Sequence, residues 1–176
     1  MQKHSYYVAK YLARSGVQVD LYHFQQQPGH DIRALEVFTA EEKKFIRSFV
    51  LDFPIQDRFP GHYVRASYRY SERIYREFVK GPGVDFIYAK GFCAWKLLQE
   101  KQKGFACAPV GVKFHGMNMF DKPYSLRSWL EQLLLRPPAM YNLSRADHVF
   151  SYGGRVTETI RRKAHVPVDR IIEVPT

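Results

Sequence analysis

Short strand-like runs recur along the chain, with helix-like segments between them. Four of these runs lie in its second half, at residues 84–89, 109–114, 147–152 and 170–175. The run at 84–89 is nearly continuously apolar, as expected of a strand covered on both faces of a parallel sheet. The alternation of strands with helices predicts an α/β fold with a Rossmann-like, doubly wound parallel sheet. No repeat or linker interrupts it, so we expect a single domain over residues 1–176.

Segments with helical periodicity are predicted at 2–15, 61–80, 92–103, 123–145 and 154–164. The first segment ends at Gly16, where a left-handed cap is easy. Its apolar arc consists of Tyr7, Val8, Tyr11 and Leu12. The fourth segment has an apolar stripe formed by Leu126, Trp129, Leu130, Leu133 and Leu134. We expect Pro137 and Pro138 to break or kink that fourth helix.

The start of the chain departs from a complete sheet of this type. The first helix precedes any strand, and the first predicted strand covers 17–24. Residues 32–38 and 46–53 could each form a further strand, and the sequence does not choose between them. The first strand of a doubly wound sheet is central, so a domain without it would expose two internal sheet edges. Since the chain also ends on a strand, we expect both ends to be cuts in a longer protein.

Composition limits the classes of function. With 27 Lys and Arg against 17 Asp and Glu, the net charge is +10, which favours nucleic acid, an anionic lipid surface or phosphorylated molecules as partners. No apolar run approaches the ~18–20 residues that span a bilayer, and the N-terminus lacks a secretory signal. We therefore expect a cytoplasmic protein. Cys93 and Cys107 lack metal or redox spacing and are predicted to be reduced, packed thiols.

No motif for a bound cofactor or metal is present. The sequence has no GxGxxG after a strand, no phosphate loop of the NTPase type, no HExxH and no cluster of cysteine and histidine residues. A GxSxG nucleophile elbow is also missing. We therefore expect neither a cofactor nor a metal site.

The helix at 61–80 has one strongly basic face. That face consists of Arg65, Arg69, Arg73, Arg76 and Lys80. Such a face suits the anionic inner surface of a membrane, on which the protein would be peripheral. The alternative is an ordinary solvated face of a surface helix.

Four segments in sequence resemble family-4 retaining glycosyltransferases with the GT-B fold. Residues 1–24 resemble the first helix and second strand of that family, whose glycine-rich loop and first strand would lie before Met1. VKFHG at 112–116 resembles its fifth strand and the following His-Gly. RADHVFSYGGRVTETI at 145–160 resembles its Ala-Asp-x-hydrophobic-x-x-Ser segment, and DRIIEVPT at 169–176 resembles its closing strand.

The resemblance implies a defined activity. Such enzymes, of hexosyltransferase type, transfer a sugar from a nucleotide-sugar such as a UDP- or GDP-sugar to a glycan or lipid-linked acceptor, with retention. Their N-terminal domain holds the acceptor. Their C-terminal domain, which this chain lacks, holds the nucleotide and carries a pair of glutamates. The chain is thus expected to be the acceptor-side half of a two-domain transferase, inactive alone.

His115 is the candidate catalytic residue, because it follows a buried strand at its carboxyl end, where open α/β sheets bind ligands. By the resemblance it would reach the transferred sugar; the alternative is a histidine that only caps the strand. Gly116 would let the backbone approach a ligand, or form a turn. Lys90 and Gly91 follow the preceding strand, where the lysine could bind an acceptor phosphate or carboxylate, or simply be solvated.

Two further substrate-binding residues are predicted from helix entrances. His4 lies in the first turn of the first helix, which by the resemblance points toward the cleft. Ser151 precedes the helix at 154–164 and would face the cleft or cap that helix. Two other functions remain open: a nucleic-acid-binding domain, which the charge favours but no motif supports, and a non-catalytic module on a membrane.

Overall fold

The computed structural model describes residues 2–25, 36–54 and 59–174, with only the backbone of residues 2, 3 and 25. The chain divides into two compact units, Met1–Phe53 and Pro54–Thr176. Each unit contains helices and a parallel sheet. The predicted α/β class with parallel sheets is therefore confirmed.

The first unit contains helix α1 (Gln2–Arg14), strand β1 (Val19–Gln25), the short helix α2 (Ala40–Lys43) and strand β2 (Ile46–Asp52). The two strands pair in parallel over seven residues each. The predicted strand at 46–53 is thus confirmed. Of the competing segment 32–38, residues 32–35 lie outside the described residues and residues 36–38 are not extended.

The core of the first unit is formed by a different face of α1 from its apolar arc. Tyr6, Ala9 and Ala13 are buried, and Phe38 and Ile46 complete the cluster. The alanines are small, so the helix backbone can lie close to its neighbours. Among the larger apolar residues of the predicted arc, Tyr7, Tyr11 and Leu12 are exposed. Gly16 ends the helix in the left-handed conformation with φ of 79°, as predicted.

Strands and helices alternate through the second unit. It contains α3 (His62–Phe78), β3 (Ile87–Lys90), α4 (Trp95–Gln102), β4 (Val110–Lys113), α5 (Leu126–Arg145), β5 (His148–Ser151), α6 (Gly154–Lys163) and β6 (Ile171–Glu173). Single 3₁₀ turns precede α5 and β6. The four strands form one parallel sheet in the order β3-β4-β5-β6.

Within the described residues, β1 pairs only with β2, and β3 pairs only with β4. The strand in the predicted run 84–89 begins only at Ile87.

The main core lies on one face of the four-stranded sheet. Val110, Val112 and Val149 alternate along β4 and β5 and are fully buried with Leu98 of α4 and Leu143 of α5. Alternate residues of a strand point to opposite faces. Gly111 therefore faces the other side, where a Cβ would lie 2.4 Å from the Phe150 ring.

Helix α5 runs without interruption through Pro137 and Pro138. Of the predicted break or kink, the break is therefore wrong, and the kink stays a prediction. The φ of proline is compatible with a helix. Proline destabilises a helix because it lacks the N–H that would donate to the preceding turn and because its ring crowds that turn. Burial of Ala139 and Leu143 directly after the prolines holds the second half of the helix to the core. The Asn142 side chain also donates a hydrogen bond to the Pro138 carbonyl at 2.8 Å.

Two further observations limit the chemistry available to the described residues. None of the helices in that part of the chain is long and apolar enough to cross a membrane. Within the same residues, no group of three or more His, Cys, Asp or Glu side chains could hold a metal ion.

Candidate functional site

Polar side chains gather where β3 and β4 end. Lys90 is the last residue of β3 and Lys113 the last of β4, and the two are paired in register. Residues paired in register on parallel strands project from the same face of the sheet. Both lysines therefore project on the same side of the carboxyl rim, where open α/β sheets bind ligands.

Lys113 is almost completely buried, with 3% of its surface exposed. Its Nζ lies 3.9 Å from the centroid of the Tyr152 ring, a cation–π contact. It forms no ion pair with a carboxylate in the described residues. Burial lowers the pKa of Lys113, because desolvation disfavours the ammonium.

Lys90 is half-buried beside Lys113. Burial is the main cause that lowers the pKa of Lys90, and the like charge of Lys113 lowers it further. The rim thus holds two cations whose mutual repulsion is not relieved by a carboxylate on Lys113. A bound anion would offset both the repulsion and the desolvation.

His115 lies two residues beyond the end of β4, where its side chain is exposed. Its Nδ1 is 2.9 Å from the Tyr152 hydroxyl oxygen, and the two rings are nearly parallel at 24°. Partial desolvation lowers the pKa of His115, and the positive charges of Lys90 and Lys113 lower it further. Both causes favour the neutral ring, which can form hydrogen bonds through Nε2 as well as Nδ1.

The two rim glycines have different backbone roles. Gly91 has a φ of 56°, which favours glycine, and its N–H donates to the Lys113 carbonyl at 2.9 Å. Gly91 thus turns the chain directly after Lys90. Gly116 has no positive φ, and a Cβ there would lie 3.2 Å from Asn118 Oδ1. A larger residue at position 116 would therefore require only a small displacement of the Asn118 side chain.

Ser151 is fully buried at the end of β5. Its Oγ lies 2.8 Å from Thr157 Oγ1 and accepts a hydrogen bond from the Gly153 N–H at 3.1 Å. Thr157 in turn donates to Glu173. These contacts tie Ser151 to the turn before α6, whose N-cap is Gly153, and leave its hydroxyl inside the protein.

His4 lies in the first unit, half-buried on α1 in a depression shared with Tyr7, Val8, Tyr11 and Leu12. It belongs to a different unit from the rim residues. The structure therefore describes His4 only within that unit.

The predicted basic face of α3 is the exposed face of that helix. All five of its residues are exposed: Arg65, Arg69, Arg73, Arg76 and Lys80. Lys80 pairs with Glu77, and Arg65 lies over the Phe59 ring at 6.0 Å. Most of the positive charge on this face therefore points to solvent.

Sequence reasoning missed two members of the rim. Lys113 stands within the apolar run 109–114, where the neighbouring valines drew attention to the core. Period-two alternation assigns Lys113 and Gly111 to the same face, opposite that of Val112, and this signal could have found it. Tyr152 had no sequence signal, because only the fold brings it to His115 and Lys113.

The rim can bind an anion and donate hydrogen bonds. Cys93, the nearest thiol in sequence to Lys90, has its pKa raised by burial to about 11 and stays protonated. Burial also raises the pKa of Tyr152. The arrangement therefore suits recognition and electrostatic stabilisation of a substrate.

The family model for Glycosyltransferase Family 4 matches residues 1–176. The match includes both units, the rim residues and the exposed basic helix. No curated protein matches the chain.

Proposed function

The chain belongs to glycosyltransferase family 4, and we propose that it is the acceptor-side domain of a retaining transferase of hexosyltransferase type. The match to the family model confirms the resemblance to glycosyltransferase family 4, and the chain is a glycosyltransferase domain. The proposed donor is a nucleotide-sugar held by a second domain, and the proposed acceptor is a glycan or a lipid-linked sugar. On this proposal the 176-residue chain alone transfers no sugar.

The observation that carries the proposal is the polar rim at the carboxyl ends of β3 and β4. His115 is exposed there, while its pKa is lowered by burial and by Lys90 and Lys113. With Nδ1 engaged by the Tyr152 hydroxyl, its Nε2–H can donate a hydrogen bond to a sugar hydroxyl or a phosphate oxygen. Such a preorganised donor stabilises charge that develops during transfer.

The test compares sugar transfer by the complete gene product with sugar transfer by the 176-residue chain. Both are titrated calorimetrically with UDP- and GDP-sugars, and product is then measured with the sugars that bind. We expect the complete protein to bind and to transfer, and His115→Ala to lower kcat by about a hundredfold or more, as loss of such a donor does. His62→Ala is the control, because its Nδ1 contacts only the nearby Phe59 carbonyl.

Two outcomes would contradict the proposal. If the complete protein bound no nucleotide-sugar, the proposed donor would be wrong. Full transfer by the short chain would remove the need for a second domain.

A second candidate role is attachment to an anionic membrane surface, and the exposed apolar face of α5 favours it. This face consists of Leu126, Trp129, Leu130 and Leu133, and Tyr124 lies two residues before the helix. Leu126 is 87% and Trp129 50% exposed. Tryptophan and tyrosine prefer the interface of a bilayer, and apolar side chains of a helix face can enter it.

The basic face of α3 complements this apolar face. A Cβ on Gly61, directly before α3, would lie 3.6 Å from Leu134 of α5, so the two helices meet at that end. Cations beside an apolar face match the negative charge of a membrane that contains anionic lipid. Co-sedimentation with vesicles that contain anionic lipid tests this role, and retention in the supernatant would contradict it.

A further inference from the structure

We infer that Lys113 is a positioning residue for His115 and that it acts through the ring of Tyr152. The three side chains form a chain of contacts at the carboxyl ends of β4 and β5, within the second unit. The inference deepens the proposed function and rests on it for what His115 does to a substrate. The arrangement of the His115 ring can be measured without any sugar donor.

The backbone is held firmly around both His115 and Tyr152. Phe114 and Met117, which flank His115, are each more than nine-tenths buried. Ser151, directly before Tyr152, is fully buried, and its Oγ accepts a hydrogen bond from the N–H directly after Tyr152. The 2.9 Å contact between His115 Nδ1 and the Tyr152 hydroxyl therefore depends mainly on the side-chain torsions of these two residues.

Lys113 supplies a contact that favours one orientation of the Tyr152 ring. Lys113 pairs in register with Phe150, and Tyr152 follows two residues later, so Lys113 and Tyr152 project on the same side of the sheet. Lys113 Nζ lies 3.9 Å from the centroid of the Tyr152 ring. An ammonium is attracted to the face of an aromatic ring and not to its edge. The ring is thus favoured in the orientation that presents its hydroxyl to His115.

The burial of Lys113 argues against a role in packing alone. Only 3% of this residue is exposed, and it forms no ion pair in the part of the chain that the structure describes. Desolvation of an ammonium is costly, and an apolar side chain of similar length would fill the space without that cost. The charge at position 113 is therefore better explained by its effect on the Tyr152 ring.

The same charge strengthens the hydrogen bond that Tyr152 donates. Burial raises the pKa of Tyr152, so its hydroxyl keeps the proton that it can donate to Nδ1 of His115. A positive charge beside the ring stabilises the negative charge that develops on the oxygen of a donating hydroxyl. With Nδ1 as the acceptor, the proton of the neutral His115 ring lies on Nε2, the nitrogen that is proposed to donate to the substrate.

The first experiment records the nitrogen chemical shifts of the His115 ring by NMR, in the 176-residue chain at a pH where the ring is neutral. These shifts report which ring nitrogen carries the proton. We expect the wild type to carry it on Nε2. Lys113→Met and Tyr152→Phe should both move the Nδ1 shift toward that of a protonated nitrogen. Lys103→Met is the matched control, because Lys103 is exposed directly after α4 and away from the carboxyl end of β4.

The double variant separates action through Tyr152 from a direct effect of Lys113 on His115. In the Tyr152→Phe background, Lys113→Met should cause little further change in the Nδ1 shift. A further change as large as in the wild-type background would overturn the inference. It would also be overturned by a wild-type ring with its proton on Nδ1, or by an Nδ1 shift that Lys113→Met leaves unchanged.

Sugar transfer by the complete protein gives a second readout. Lys113→Met should lower kcat roughly three- to tenfold, the effect of one hydrogen bond, with little change in KM. The double variant with Tyr152→Phe should lower kcat no further than either single variant. The Tm of Lys113→Met should equal or exceed that of the wild type, because methionine keeps the length of the side chain and removes the buried charge.

Two results of this second experiment would overturn the inference. If the losses in kcat multiplied in the double variant, Lys113 would act independently of Tyr152. If the Tm of Lys113→Met fell together with kcat, Lys113 would serve the fold. If the complete protein transferred no sugar, the proposed function would fail, while the NMR shifts would still decide whether Lys113 positions His115. The two failures are therefore told apart.

Discussion

At the scale of single residues, Tyr152 connects the two parts of the rim. Its hydroxyl contacts His115 Nδ1 at 2.9 Å, while its ring lies 3.9 Å from Lys113 Nζ. The hydroxyl can fix the tautomer of the histidine, and the ring face holds the ammonium. One side chain thus positions two groups through different atoms, and a single substitution can separate them.

Tyr152→Phe removes the hydroxyl and keeps the ring. We expect kcat of the complete transferase to fall roughly three- to tenfold, the effect of one hydrogen bond, because His115 loses the partner of its Nδ1. The Tm of the variant should change little, since the ring over Lys113 remains. The measurement is kcat with thermal unfolding on the same samples. A fall in Tm that accompanies the fall in kcat would show that Tyr152 acts through the fold instead.

The pH profile gives this variant a second readout. In the wild type, partial desolvation and the two lysines hold the pKa of His115 below its ordinary value, so protonation of the ring requires a lower pH than for a histidine with the ordinary pKa. Tyr152→Phe should shift the acid limb of the kcat profile. An unchanged profile would argue against a role for the tyrosine in positioning His115.

At the scale of elements, Asp147 joins three of them. It directly precedes β5, accepts a hydrogen bond from the first N–H of β4 at 2.7 Å and pairs with Lys101 of α4. Burial by itself would raise the pKa of Asp147, but the hydrogen bonds from Lys101 and Val110 lower it overall. The Ala-Asp pair in the motif at 145–160 thus has a structural role here.

Asp147→Asn should lower the free energy of unfolding at pH 7 by about 1 kcal/mol, after allowance for partial exposure of the pair. Because the folded pKa lies below the ordinary 3.8, this stabilisation is present above about pH 4 and is lost as the pH falls through the folded pKa. Urea unfolding at pH 7, 5 and 3 measures whether the free energies of unfolding of the wild type and Asp147→Asn converge as the pH falls. Asp121→Asn, at an exposed pair with Arg155, is the control and should change little.

A difference between the wild type and Asp147→Asn that stays constant at every pH would contradict the electrostatic account. It would point to altered packing at the start of β5.

The elements that the sequence predicts best are those with one dominant period. The runs at 109–114 and 147–152 correspond to β4 and β5, because strands buried on both faces have apolar runs. The segment 61–80 corresponds to α3, because a helix buried on one face has apolar residues at the helical period. Continuity of α5 through Pro137 was not predictable, since it depends on tertiary contacts of Ala139 and Leu143. The same holds for the site: His115 and Lys90 follow strands, whereas Tyr152 reaches the rim only through the fold.

At the scale of the whole molecule, the net charge of +10 is partly concentrated on one helix face. Arg69 and Arg76 are exposed on α3 and form no ion pair within the described residues. Charge alone does not distinguish a membrane from nucleic acid, since both are polyanions. The exposed apolar face of α5 is the feature that favours the proposed membrane role over nucleic acid, because a bilayer accepts apolar side chains and a phosphate backbone does not.

Arg69→Glu/Arg76→Glu should weaken binding to vesicles that contain anionic lipid by at least about thirtyfold, since each cation near such a surface contributes about 1 kcal/mol and each new anion opposes it. Binding of the wild type should also fall in 1 M salt, where the Debye length is about 3 Å. Leu126→Ser/Trp129→Ser should weaken binding at low and high salt alike, because it removes apolar insertion. Co-sedimentation over a range of lipid concentrations measures all three.

The matched control is Arg161→Glu/Lys163→Glu, which changes the net charge equally on the exposed surface of α6. If attraction depended only on total charge, this variant would lose as much binding as the α3 variant, and the proposed orientation would be wrong. If the α5 variant bound vesicles normally but changed from dimer to monomer in light scattering, the apolar face would pair with a second copy. Selective loss with the α3 and α5 variants would place the membrane against these two helices, because one carries the exposed cations and the other the exposed apolar side chains.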